Sequence, residues 1–425
     1  MSINGVRNFV HEWDILRLKS VVELRTERIS GNSTDEGYVG LENIEPWTGK
    51  LLLTDLAVAT LEDDNEKKNI VGVFHEGDIL FGKLRPYLAK AHFAKASGIC
   101  STELLVMTPN KDIYPQFLLR VILTHEFIDR VNAETFGVKM PRADWDTVAN
   151  LNIPVPPLAT QRAIASYLDR ETAKIDAMID AKGRLLGLLA EKRRALITHA
   201  VTRGLDPAAP MRDSGVPWIG AVPGHWEVPP VFARYEVVLG KMLDEKRISG
   251  TQLASYLRNA DVQWHKINTT NLPQMDFDDI DKATYSLHKG DVLICEGGEV
   301  GRTAIWEGEL AECYYQKALH RLRPVTPSDN PYFFAYVMES AVGVGVFAAE
   351  GNRSTIQHLT AEKLRVFRFP APPYLEQSRI TAYIDAESTA IDRLCHTTQK
   401  SIEILHERRA ALIAAAVTGQ IDVAG

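Results

Sequence analysis

The sequence predicts an α+β (mixed α/β) protein: two globular segments joined by two long antiparallel coiled-coil helices, with an internal pseudo-two-fold repeat. Three observations carry this. Residues 157–202 align without a gap onto residues 373–418 at a constant offset of 216, with 17 identities in 46 positions. Both copies carry apolar heptads, the pattern of a helix that packs along a partner helix. The segments before each copy share landmarks in the same order.

The first globular segment, residues 1–156, has strand-like runs at Val71–Phe74, Asp78–Phe81 and Leu104–Met107, with Gly77 as a turn. Pro115 opens a helical pattern through Phe117, Leu118, Val121, Ile122 and Phe127; proline in a first turn forfeits no hydrogen bond. The run Ile153-Pro154-Val155-Pro156-Pro157 ends the segment, because consecutive X-Pro steps disfavour helix. The second globular segment, residues 206–372, repeats the plan. His75-Glu76-Gly77-Asp78 matches His288-Lys289-Gly290-Asp291, Pro115 matches Pro331, Trp13 matches Trp226, and Phe369–Pro373 closes it.

The repeated stretches, 157–205 and 373–425, read as helices of roughly 40 residues spanning about 60 Å. In one heptad register the apolar seam runs through Ile164, Leu168, Ile175, Met178, Leu185, Leu189 and Leu196. The second copy offers Ile380, Ile384, Ile391, Leu394, Leu405 and Leu412. Polar interruptions fall at matched places, Glu171/Glu387, Lys182/Thr398 and Lys192/Arg408. Such residues cost stability and fix register. Antiparallel pairing of the two helices covers both seams.

A length of 425 residues implies about two to four domains. Cys100, Cys295, Cys313 and Cys395 form no CxxC or Cys/His zinc spacing, which points to a reducing compartment and no metal. No run reaches the roughly 18 apolar residues of a membrane span, and the start lacks a basic-then-apolar leader, so the cytoplasm is expected. The net charge of −7 is unfavourable for nucleic-acid binding only if it is spread evenly.

Catalytic patterns are poorly represented. Asn330-Pro331-Tyr332-Phe333 lacks one proline of the Asn-Pro-Pro-Tyr/Phe loop of amino-methyltransferases, and its counterpart at Pro115 is a plain helix start. Gly297–Thr303 has arginine where a phosphate-binding loop needs lysine, and reads as a strand-to-strand turn. Binding candidates are better supplied. Lys139 and Arg142 lie in a polar loop before the first proline run. Asn352, Arg353, Ser354, Thr355 and Gln357 lie in the matching loop before the second. Arginine and lysine suit guanine edges, asparagine and glutamine suit adenine, and hydroxyls suit phosphates. Lys83, Arg85 and Tyr87 follow the first Gly-Asp strand and Arg302 the second; Gln316 and Lys317, with His320 and Arg321, form a further cluster.

The ordered set Pro-Pro-x-x-x-Gln, Ile-x-x-Tyr-Leu/Ile-Asp, Glu-Lys/Arg-Arg, Ala-Leu-Ile and Ala-Val-Thr occurs twice. With Asp213–Trp226 and Val417–Asp422, it resembles the specificity (S) subunit of type I restriction–modification systems over nearly the whole chain. Ala159-Thr160-Gln161 departs from the usual acidic residue before the glutamine, present in Leu375-Glu376-Gln377, and reads as surface variation. The resemblance implies a non-catalytic DNA-binding subunit of a restriction system. Residues 1–156 and 206–372 would be target recognition domains, each reading half of a bipartite, asymmetric site in double-stranded DNA. The helices would be spacers that dock two modification (methyltransferase) subunits, which restriction (helicase-nuclease) subunits then join. S-adenosylmethionine, ATP and Mg2+ are expected on those partners, with no cofactor on this chain. The alternative is a coiled-coil scaffold with two protein-binding domains and no nucleic acid.

Overall fold

A computed structural model describes residues 13–30, 37–52, 70–137, 139–242, 250–347, 358–421 and 423. Two compact units emerge: residues 1–183 with 399–425, and residues 184–398. Each unit thus takes part of both long helices, Leu158–Arg203 and Tyr374–Val417.

In the first unit an antiparallel sheet runs in the order Val22–Arg25, Leu104–Pro109, Ile79–Gly82, Ala91–Phe93. Arg28–Ser30, Ile70–Phe74, Gly98–Cys100 and Tyr38–Val39 form a second sheet, the last pair parallel. The helices Pro115–Ile122 and His125–Ala133 pack on the first sheet, and Thr124 caps the second of them through Phe127 N–H. The second unit builds the same first sheet from Tyr235–Leu239, Leu319–Pro324, Val292–Cys295 and Thr303–Ile305. Asn330 caps its helix, Pro331–Gly343, as expected of a helix start, and residues 297–302 form the strand-to-strand turn.

The shared landmarks are scaffold chemistry. Gly77 and Gly290 stand at φ 94° and 92°, where a Cβ is strained. The aspartate that follows each glycine folds back, accepting the backbone N–H of His75 on Asp78 (2.8 Å) and of His288 on Asp291 (2.7 Å). Both carboxylates are buried, so each requires a cation. Arg25 bonds Asp78 at 2.8 and 3.3 Å; Arg323 bonds Asp291 with two contacts of 2.7 Å.

The repeated glutamine is a clamp at the start of each long helix. Gln161 accepts from Tyr114 N–H at 2.6 Å and donates to the Pro156 and Asp112 carbonyls at 2.8 and 3.0 Å. Gln377 accepts from Asn330 N–H at 2.7 Å and donates to the Pro372 carbonyl at 2.8 Å and the Ser328 carbonyl at 3.2 Å. Both side chains are buried, so each lost bond would leave an unsatisfied group behind. Glu376 is more than surface variation: it accepts from Trp226 Nε1 at 3.1 Å and contacts His225 Nε2 at 2.8 Å.

Within each unit the two helical stretches run antiparallel. In the first, Ile164 and Leu168 share a core with Ile413, Ala416 and Val417, while the later Asp176 meets the earlier Arg409. In the second, Ile197, Ala200 and Val201 share a core with Ile380 and Ile384, and Arg193 meets Asp392. Burying a side chain such as Leu168 contributes about 1.5–3 kcal/mol.

One row of the expected heptad, through Leu168, Ile175 and Leu189 and through Ile384, Ile391 and Leu405, is buried, and part of the other row is shifted. Met178, Leu185 and Leu394 are exposed at 43%, 44% and 55%. One residue later lies the more buried row: Thr172, Ile179, Leu186 and Arg193 between Leu168, Ile175, Lys182, Leu189 and Leu196, with Ser388, Cys395, Ile402 and Arg409 in the second copy. The polar interruptions are therefore Thr172/Ser388, Lys182/Thr398 and Arg193/Arg409. Hydrophobicity favours methionine and leucine over arginine at a seam; ion pairing to Asp392 and Asp176 reverses that choice. Each long helix ends near a glycine in the left-handed region that faces a tryptophan. Gly204 (φ 75°) lies against Trp226, and Gly419 (φ 73°) against Trp13.

No helix among the described residues is long and apolar enough to cross a membrane.

Candidate nucleic-acid interface

One residue in each unit ties three chain segments together at the same end of the main sheet. In the first unit it is Lys83, just past the Ile79–Gly82 strand. Its N–H donates to the Glu103 carbonyl at 3.0 Å, and its carbonyl accepts Ala143 N–H at 2.9 Å. In the second unit Glu296 N–H donates to the Ala318 carbonyl at 2.9 Å, and its carbonyl accepts Leu359 N–H at 2.8 Å. Counting from the Gly-Asp pair, Lys83 and Glu296 occupy the same position.

This junction brings together two groups that the sequence offers separately. Arg85 N–H donates to the Pro141 carbonyl at 2.7 Å, and Leu84 pairs with Arg142 in a short antiparallel bridge. Lys83, Arg85 and Tyr87 therefore share one surface with Lys139 and Arg142. Phe136 also pairs with Arg142 in a short antiparallel bridge. Arg85, Tyr87, Lys139 and Arg142 are exposed and Lys83 is half-buried. Arg142 forms an ion pair with Glu103 at 2.9 Å. A half-exposed pair of this kind contributes about 0–1 kcal/mol, so its arginine exchanges partners at little cost.

The second unit places its candidates differently. Arg302 has its guanidinium turned inward: it donates to the Asn259 carbonyl at 2.9 Å and lies 3.4 Å from Glu299. Its guanidinium is thus engaged within the unit. Gln316 is half-buried, its backbone bridged to Lys241, and Lys317 beside it is exposed. His320 and Arg321 are buried, His320 bonding the Leu359 carbonyl at 2.7 Å and Arg321 pairing with Glu236 at 2.8 Å. Burial also holds the His320 imidazole below the usual histidine range. Asn352, Arg353, Ser354, Thr355 and Gln357 lie outside the described residues, which resume at His358, next to Leu359 of the junction.

The junction is carried by main-chain groups, so no residue type announces it; only the position counted from each Gly-Asp pair points there. Covalent chemistry finds little support. Burial pushes the Cys100, Cys295 and Cys313 thiols up to about 12, 11 and 12, which keeps them protonated near neutral pH. Among the described residues no group of three or more His, Cys, Asp or Glu side chains could hold a metal ion.

Comparison with known proteins places this geometry. The sequence profile described as "Type I restriction modification DNA specificity domain" matches residues 11–182 and again residues 244–404. The specificity subunit of the Escherichia coli type I restriction enzyme EcoDI is 28% identical over 170 residues, 40% of this chain and 36% of that protein. The chain thus spans little more than a third of that relative. The specificity subunit of the Methanocaldococcus jannaschii enzyme MjaVIII is 20% identical over 97% of this chain and 93% of its own length. A solved chain from work on complex assembly and conformational transition of the type I R-M system has a similar fold. Its TM-score is 0.75 at 20% identity, over 96% of this chain and 98% of that one.

Proposed function

This chain belongs to the type I restriction–modification DNA specificity family, and on that premise we propose that it is the sequence-specific DNA-recognition subunit of such a complex. Each unit reads one half of a bipartite, asymmetric site in double-stranded DNA. The carrying observation is the repeated junction: Lys83 and Glu296 sit on the same frame with different side chains around them. Equal frames place two readers equivalently; unequal loops give them different targets. The scaffold reading has no comparable support.

The long helices set the distance between half-sites and dock two modification subunits, with restriction subunits joining through them. S-adenosylmethionine, ATP and Mg2+ belong to those partners. Phosphate contacts need local positive charge, and the partners supply part of it to a chain of net charge −7. The reading is tested by methylome sequencing of a host carrying the complete system. A two-part, non-palindromic methylated motif with a fixed gap is expected. A continuous or palindromic motif would overturn it.

A further inference from the structure

The two junctions match in backbone and differ in charge. Around Lys83 stand Arg85 and Lys139, and among the described residues none of the three is engaged in an ion pair; the fourth cation, Arg142, is paired with Glu103. Around Glu296 stand Glu299, Lys317 and Arg302, the last turned inward to Asn259. Among the described residues one junction carries a surplus of positive charge and the other does not.

Backbone conformation adds an independent observation. Arg85 stands at φ 51°, in the left-handed region that side chains avoid. Two residues past Glu296, the equivalent position is Gly298, at φ 70°. The turn accepts glycine in one copy and keeps an exposed arginine in the other despite the strain. Strain of this kind gathers where a side chain has work to do.

We infer that the first unit carries the electrostatic grip on the DNA phosphate backbone, through Lys83, Arg85 and Lys139, and that the second unit contributes little of it. The inference rests on the two-reader reading above. Phosphate neutralisation releases counterions, so each contact steepens the fall of affinity with salt by about 0.9 in a log–log plot.

The test uses the full chain assembled with its modification subunits. Binding to a labelled duplex carrying the methylome-derived site is followed by fluorescence anisotropy from about 50 to 200 mM salt. The variant with Lys83→Gln, Arg85→Gln and Lys139→Gln is expected to lose about two to three from the slope, and Lys317→Gln to leave it nearly unchanged; a loss of about one for Lys317→Gln, equal to that of a first-unit cation, would overturn the asymmetry. The charge-keeping variant with Lys83→Arg, Arg85→Lys and Lys139→Arg should hold the slope. If the triple glutamine variant fails to fold, Arg85→Gln and Lys139→Gln singly, both at exposed positions, should each lose about one. An unchanged slope, or equal loss in the charge-keeping variant, overturns the inference. A wild-type complex that does not distinguish its site from a scrambled duplex overturns the two-reader reading instead.

Discussion

Arg409 Nε donates to Asp176 Oδ1 at 2.9 Å, and Arg193 Nη1 donates to Asp392 Oδ1 at 3.1 Å; both residues of one pair are displaced by 216 positions from their counterparts in the other. The same bond is made twice in different surroundings. Asp176 also accepts from Lys50 at 3.0 Å, and Arg409 reaches the Trp47 carbonyl at 3.4 Å. The side chain of Asp176 is 24% exposed and that of Asp392 62%. Burial raises the Asp176 carboxyl, but Lys50 and Arg409 together hold it below the usual aspartate range.

The two arginines should therefore differ in worth. Arg409→Met leaves a sheltered carboxylate short of a partner, at a cost of about 2 kcal/mol. Arg193→Met removes an exposed pair, worth about 0–1 kcal/mol. Scanning calorimetry of the full chain should show one unit's transition lowered by about 4–8 °C for Arg409→Met, and by far less for Arg193→Met. Equal shifts would mean that exposure does not decide the value of the bond.

Histidine burial predicts an acid-side loss of stability. Burial holds His92 and His320 below the ordinary histidine range. Below about pH 6.5 the unfolded chain takes up protons that the folded chain refuses, so stability falls as pH falls towards the folded values. It is fully present above that window. The unfolding midpoint should drop between about pH 7.5 and 5.5, and drop less in His320→Gln. A midpoint that rises on acidification through this range would contradict the assignment.

Arg85→Gly should separate stability from binding. Relief of the left-handed strain offsets the extra chain entropy of glycine, leaving the fold unchanged or more stable by up to about 1 kcal/mol. The salt slope of DNA binding should fall by about one. A destabilised fold, measured by thermal unfolding, would make Arg85 a structural residue.

Much of the frame was legible because repetition is visible in sequence. The Gln161/Gln377 clamp, the Gly-Asp turns and the helix starts at Pro115 and Asn330 all stand where the matched residues pointed. Of the expected seam, Ile164, Leu168, Ile175, Leu189, Ile380, Ile384, Ile391 and Leu405 are buried, whereas Met178, Leu185 and Leu394, which apolar periodicity also selects, are exposed. The more buried row instead includes Thr172, Ser388, Arg193 and Arg409, whose places depend on partners 199 to 233 residues away for the two arginines. The junction at Lys83 was legible only as a position counted from the Gly-Asp pair, not as a set of contacts. Its bonds run through main-chain groups, and nothing local in Lys83, Glu103 or Ala143 marks their meeting.

The buried aspartates carry one more consequence. Asp78 takes its guanidinium from Arg25, on the strand Val22–Arg25; Asp291 takes its own from Arg323, on Leu319–Pro324. By strand register Thr108 fills the place of Arg323, and Val238 that of Arg25. A hybrid sheet with both arginine-bearing strands would crowd two cations onto one acid, and the reciprocal hybrid would strand the acid with none. Each buried acid is thus matched to one particular strand of its own sheet, so an exchange between the two halves that moved the acid without its arginine strand would break the pair.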